Sequence, residues 1–246
     1  MWITEAARRS PGLKVIILLP QAPKEVAFGG ERANPAHQHG EYLQARALGN
    51  LRDRLGARVG LFALAKKTPM TDAEREFVRD RGAAFGSGMI YVHSKLMIAD
   101  DRNALVSSAN INNRSFARDS EFGVLWHDPD EVAAFRRRLW AQLLEIPEDD
   151  QPALRDALAQ WHDTAAANIK LPPAERQGFI VPYQFVRPAA SAARRGSCRT
   201  TWCRSQVQAR APSTTPTELC RSASSTAATI AGASSPASAY CFAGES

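Results

Sequence analysis

Apolar and polar positions alternate between two periods along the first two thirds of this chain. Lys14 to Leu19 is a short, unbroken apolar run rich in β-branched residues that stops at Pro20, the pattern of a strand buried on both faces. Trp2 to Arg9 precedes it as the end of a helix, closed by Ser10-Pro11-Gly12. Gln21 to Gly40 carries the Pro, Gly, Asn and His content of a loop long enough to hold function. Glu41 to Leu55 then repeats apolar residues at helical spacing, with Leu43, Ala47, Leu51 and Leu55 on one face. Arg58 to Ala63 is a second apolar strand. Strand, loop, helix, strand is the order of an α/β unit.

Thr71-Asp72 opens a polar helix to about Asp80, followed by a loop with Gly82, Gly86 and Gly88. Met89 to Val92 and Leu96 to Ala99 read as one strand interrupted at His93 to Lys95. It turns at Asp100 to Asn103 into a strand over Ala104 to Ser107. Glu121 to Trp126 is a further strand. Asp130 to Leu144 is a helix with Asp128 as N-cap, Pro129 at its start and Val132, Phe135, Leu139 and Leu143 inward. Pro152 to Ala167 is another helix, and Phe179 to Phe185 is an edge strand. The fold class is therefore α/β, a mixed β-sheet flanked by helices, over residues 1–187. Beyond Arg187 the periodicity stops. Ser, Thr, Ala, Pro and Arg dominate 188–246, which predicts a low-complexity, disordered tail unable to offset its ordering entropy by burial.

Composition changes this picture in two ways. Of 246 residues 44% are hydrophobic, enough for a sizeable core. The formal net charge of +6 suggests an anionic partner until its placement is considered. From Pro188 onward six arginines face two glutamates, so the tail holds +4 and the body only +2. All four cysteines, Cys198, Cys203, Cys220 and Cys241, also lie in the tail, at spacings of neither a zinc site nor a compact disulfide framework. No apolar run has the length of a membrane span or a signal-peptide core, which points to a cytoplasmic or peripheral membrane location.

The chemistry gathers in Val92 to Ser115, VHSKLMIADDRNALVSSANINNRS, where polar groups costly to bury interrupt an apolar hairpin. Residues two apart on a strand project from one face, so His93 and Lys95 would pair, as would Ser108 and Asn110 on the adjoining strand. Imidazole is the usual nucleophile or proton carrier near neutral pH, and Lys, Ser and Asn can hold phosphate oxygens. Phosphoryl chemistry is the natural reading.

The spacing His93-x-Lys95-x4-Asp100-x6-Ser107-Ser108-x-Asn110 resembles the HxKxxxxD plus GSxN motif of the phospholipase D superfamily. Ile111-Asn-Asn-Arg-Ser115 and Arg118-Asp-Ser-Glu121 resemble the extension of that motif in phospholipases D proper. Weaker likeness runs from about Trp2 to Asn168, the C-terminal catalytic half of a two-motif enzyme. The resemblance implies a two-step phosphodiester exchange through a phosphohistidine, using no metal and no cofactor. His93 would be nucleophile or general acid, and Lys95, Ser108 and Asn110 would bind the substrate phosphate. Glu121 would orient a catalytic imidazole, and Asp100 would secure the turn. The implied substrate is a glycerophospholipid at a membrane surface, cleaved by water or passed to another alcohol.

Two departures qualify the likeness. Ser107 stands where the family has glycine, which requires a backbone that avoids φ > 0 there. The chain also carries a single motif, whereas the family places two across a pseudo-two-fold axis. His37, His39, His127 and His162 lack the HxK spacing. A homodimer partner or a missing N-terminal half would supply the second motif. The abrupt start at Met1-Trp2, the absent strand before the first helix and the tail, which reads like out-of-frame translation, favour a fragment. Rival functions are a cardiolipin synthase-type phosphatidyltransferase, a single-motif nuclease acting as a dimer, and an inactive fragment. The near-neutral body makes nucleic acid an unlikely partner. Among bland readings, His37-Gln-His39 is an ordinary loop that could still line a channel. Arg136-Arg-Arg138 is a solvated helix face, and Trp126, Trp140 and Trp161 are packing residues.

Overall fold

A computed structural model describes residues 2–22, 35–72, 75, 83–185 and 238–242, with the backbone alone at 2, 35–39, 113–114 and 238–242. Its helices are α1 (Trp2–Arg9), α2 (Pro35–Leu55), α3 (Asn113–Ala117), α4 (Pro129–Leu144) and α5 (Leu154–Asn168). Its strands are β1 (Lys14–Leu18), β2 (Val59–Pro69), β3 (Ala83–Ala84), β4 (Ser87–Ile90), β5 (Leu96–Ala99), β6 (Asn103–Ser107), β7 (Gly123–Trp126), β8 (Ile180–Pro182) and β9 (Ser238–Phe242). All nine described strands belong to one mixed sheet.

The unbroken apolar run of β1 follows from helices on both faces of that sheet. Ile16 and Leu18 pack with Trp140 and Leu144 of α4 and Leu158 and Trp161 of α5. Val15 and Ile17 pack the other way, with Ala7 of α1 and Leu48, Leu51 and Leu55 of α2. Successive side chains of a strand point to opposite faces, so a strand covered on both sides has no solvent-facing position to make polar. The mixed sheet flanked by helices is the α/β architecture expected.

β1 and β4 share one edge of β2. Phe62 of β2 is flanked by Leu18 and Pro182, and Leu64 by Ile90 and Ile180, so β8 takes the opposite edge from both. β1 therefore lies against Val59–Phe62 and β4 against Leu64–Pro69, end to end. β5, β6 and β7 form an antiparallel meander on the far side of β9.

Several expectations shift. β2 runs to Pro69, and β7 begins at Gly123. The two halves of the supposed interrupted strand, β4 and β5, pair with different neighbours, because Tyr91–Lys95 crosses from one slot of the sheet to another. The buried stripe of α2 is Leu48, Leu51 and Leu55, whereas Leu43 is 47% exposed and Ala47 is exposed. α4 buries Val132, Arg136, Trp140 and Leu144, with Phe135, Leu139 and Leu143 only partly covered. The stripe is a row of i, i+4 positions that admits Arg136 because its charge is paired. Asp128 does cap α4, accepting from Asp130 N at 3.0 Å and Glu131 N at 3.1 Å, with Pro129 at its start. Trp140 and Trp161 are fully buried and meet edge to face at 5.6 Å.

The polar helix from Thr71 and most of the loop from Gln21 lie outside the described residues. So does nearly all of the tail expected to be disordered. Of the tail, Ser238–Phe242 is described, and its backbone runs parallel to β1 and antiparallel to β5, between the two. The segment Ala239-Tyr-Cys-Phe242 is apolar where its surroundings are not, and a strand position flanked on both sides satisfies all its backbone groups.

The end of α4 is fixed by a close backbone approach. Glu145 takes a left-handed conformation, φ 51°, and its carboxylate accepts from Lys67 Nζ and from Gly178 N at 3.1 Å. The Lys67 hydrogen bond holds the Glu145 carboxyl below the usual carboxylate range, with the Gly178 amide helping. Gly178 itself is at φ 64°, and a Cβ there would lie 2.4 Å from the carbonyl oxygen of Leu143. Gly178→Ala should therefore cost about 2–4 kcal/mol from left-handed strain and overpacking together. Urea denaturation reads this directly, and a loss below about 0.5 kcal/mol would contradict the contact.

Candidate active site

The crossing segment Tyr91–Lys95 leaves β4 near the carboxyl end of β1 and enters β5 at Leu96. Leu96 is in register with Phe242 of β9, itself in register with Leu18 of β1. The crossing thus passes over the carboxyl ends of the parallel strands β1 and β9. Ligand sites of open α/β sheets gather at such ends.

His93 and Lys95 lie on this crossing, outside any strand. The His93 imidazole is exposed, stacked at 6.1 Å on the ring of Tyr91. Lys95 Nζ donates to the His93 carbonyl at 2.8 Å, and the Lys95 carbonyl accepts from Ser107 N at 2.9 Å. Burial pushes the Lys95 ammonium below the ordinary lysine range, while the charge of Glu121 pulls it back up. The two are therefore close enough to feel each other.

Ser108 follows β6, and Glu121 precedes β7. Ser108 Oγ donates to Glu121 Oε2 and accepts from Phe122 N at 3.0 Å, while Ser108 N donates to Phe122 O at 2.8 Å. Asn110 is buried and held by its backbone, N to Ser115 Oγ at 3.1 Å. Its Oδ1 is buried with no hydrogen-bond partner among the described residues. An orphaned side-chain acceptor is unusual in a folded protein.

Ser107 meets the condition its position imposes. It is absent from the residues with positive φ, and its hydroxyl accepts from Ala109 N at 2.8 Å. Its cross-strand partner is Gly123, where a Cβ would lie 3.2 Å from that of Ser107. A glycine opposite thus makes room for the serine.

Asp100 sits at the β5–β6 turn. Asp100 and Asp101 both have φ 53°, and Arg102 N donates to Ala99 O at 3.0 Å. Asp101 is gripped by Arg136, whose Nε and Nη2 donate to its two carboxylate oxygens at 2.7 and 3.0 Å. Arg136 is thus no solvated face; its arginine neighbours Arg137 and Arg138 masked its place on the row between Val132 and Trp140.

The fold brings Lys95, Ser108 and Glu121 into one polar group, with the His93 backbone tied to Lys95 and Asn110 two residues beyond Ser108. Sequence reasoning missed Tyr91 as the stacking partner of His93 and Ser115 as the anchor of Asn110. Ser115 falls inside the motif extension, which was the available signal. His37 and His39, expected in a loop, lie on the first turns of α2, with side chains outside the described residues. Exposed apolar residues adjoin the group: Ile111, Phe116, Phe122 and Val124 are all more than half exposed, and Val124 faces the exposed Val106 across the ladder.

The family model for phospholipase D matches residues 27–176. Phospholipase D zeta 2 of Arabidopsis thaliana is 35% identical over 226 residues, covering 77% of this chain and 20% of the relative. Phospholipase D zeta 1 of the same plant is 58% identical over 108 residues, 35% of this chain and 10% of the relative. Phospholipase D1 of Homo sapiens is 29% identical over 201 residues, 69% and 18%. The chain spans a fifth or less of the length of these three relatives. With well over half its residues matched by the family model, this chain belongs to the phospholipase D family.

Proposed function

We propose that this chain carries one half of a phosphodiesterase site acting on glycerophospholipids through a phosphohistidine. His93 attacks phosphorus or protonates the leaving alcohol. Lys95, Ser108 and Asn110 bind the non-bridging phosphate oxygens, and Glu121 orients the site through Ser108 and its charge. Water then releases phosphatidate, or a second alcohol accepts the phosphatidyl group. The observation that carries this reading is the convergence of Lys95, Ser108 and Glu121 beside an exposed His93. Cation and hydroxyl together suit a phosphate, and the exposed imidazole is free to be reached by it.

A second His-Lys motif completes the site, from a second copy or from a longer chain. The apolar residues around the polar group support a covering surface, since clustered exposed apolar side chains mark interfaces more often than bare solvent contacts. Size-exclusion chromatography with light scattering, followed by phosphatidylcholine hydrolysis in each fraction, tests this. Turnover is expected at twice the chain mass and absent at the single-chain mass. Active monomer overturns the need for a second motif, and no turnover at any mass overturns completion by a second copy. Offering glycerol or phosphatidylglycerol alongside water distinguishes a hydrolase from a phosphatidyltransferase by product.

A further inference from the structure

The central slot of the sheet is occupied by a strand that the rest of the chain could not have suggested. β1 uses one edge for β2 and β5 uses one edge for β6. Their remaining edges meet only through β9: Lys14–Leu18 pair with all of Ser238–Phe242, and Leu96–Ala99 with Ala239–Phe242. Neighbouring strands lie about 4.8 Å apart, so without β9 the edges of β1 and β5 would face each other across a gap about twice that width. Two ladders of backbone groups would stand unpaired between apolar faces, where water is scarce and an unpaired amide is costly.

That gap falls between the two functional parts of the molecule. On one side are β1, β2, β4 and β8 with most of the core. On the other are β5, β6 and β7, whose ends hold Lys95, Ser108 and Glu121. Among the described residues only Tyr91–Lys95 and the connection after β7 join the parts covalently. The helix layer supplies further packing, but the sheet is continuous only through β9.

We propose that the space between β1 and β5 is a strand-acceptor site, and that its occupant is this chain's own Ser238–Phe242. The residues between Phe185 and Ser238 number 52, a tether whose length adds little to the cost of closing the loop. The same length would let the strand enter a second copy, so occupancy in cis is the testable part of the claim. Filling the slot couples the motif-bearing meander to the scaffold. Occupancy of the slot is independent of the chemistry at His93, because strand pairing and not turnover reads it.

Register supplies the probe. Met97 and Cys241 are direct partners across the antiparallel ladder. Such partners have Cα atoms about 4.5–5.5 Å apart, within reach of a disulfide. In a full-length chain with Cys198, Cys203 and Cys220 changed to Ser, Met97→Cys should form a 97–241 disulfide on treatment with diamide. The product should be a monomer, with the link seen by peptide mass spectrometry. A covalent dimer through the same pair would show that a second copy fills the slot and overturn the cis assignment. Two free thiols would overturn the pairing itself.

Should Met97→Cys fold poorly, hydrogen exchange on the monomeric fraction of the parent full-length chain tests the pairing in cis. Tyr240→Pro removes a backbone donor from the middle of β9. Protection in Val15–Leu18 and Leu96–Ala99 should fall together by tenfold or more, while Thr226→Pro, elsewhere in the tail, leaves it unchanged. Equal protection in the parent and Tyr240→Pro would exclude β9 as the occupant.

Discussion

His93→Asn should abolish phosphodiester turnover while leaving the melting curve where it was. The imidazole is exposed, and its described contact is the stack on Tyr91, so its loss should alter stability by no more than about 0.5 kcal/mol. Its proposed work is chemical. Asparagine fills a similar volume and can hydrogen-bond, but it neither attacks phosphorus nor carries a proton near neutral pH. Losing a positioned nucleophile or general acid removes roughly 10³-fold or more in rate. Phosphatidylcholine hydrolysis by the catalytically competent fraction, set beside a thermal melt of the same sample, separates the two effects. A variant retaining a tenth of the parent rate would remove His93 from the reaction. A variant that loses rate and melting temperature together would make its role structural.

Arg136→Ala should be the most damaging substitution for stability. The guanidinium makes two bonds to Asp101, donates to Gln151 Oε1 at 3.1 Å and lies 4.5 Å over the ring of Trp140. The side chains of the pair are only 6% and 16% exposed. Truncation leaves the Asp101 carboxylate largely out of water without its cation, in a turn that already holds two residues at positive φ. Breaking a buried pair from one side costs about 3–5 kcal/mol, and lost packing of the arginine stem adds to it. For a domain of this size that lowers the melting temperature by roughly 10 °C. Arg136→Lys should recover little, since an ammonium cannot make the two parallel bonds. Arg136→Met combined with Asp101→Asn should be less destabilised than Arg136→Met alone, because no unpaired charge remains. If Arg136→Ala lost less than 1 kcal/mol in urea titration, the clamp would be ornamental to folding.

His93 and Arg136 act at opposite ends of one hairpin. Lys95 and Ser107 meet at its open end, where the carbonyl of one accepts from the amide of the other. Asp100 and Asp101 form the closed end that Arg136 holds. The motif spacing between Lys95 and Ser108 is thus the length of a two-strand hairpin and its turn. That is why the residues can be recognised by counting along the chain.

What local sequence determined is what depends on neighbours in the chain. The unbroken run Val15–Leu18 specified a strand covered on both faces, because period-two alternation would have left a wet side. Asp128-Pro129 specified the start of α4 through a side chain that reaches its own next turn. The motif spacing specified which polar groups would gather. Tertiary structure alone decided the rest. It placed β4 and β5 in different slots of the sheet, since a strand's partners are chosen by surfaces far away in sequence. It turned α2 to bury Leu48 in place of Leu43, because β1 selects the face it meets. It buried Arg136, whose charge argues for a solvent-facing position, because a carboxylate from a distant turn neutralises it. It also drew five residues of a polar tail, four of them apolar, into the middle of the sheet, where two unfinished edges could be satisfied only by a strand between them.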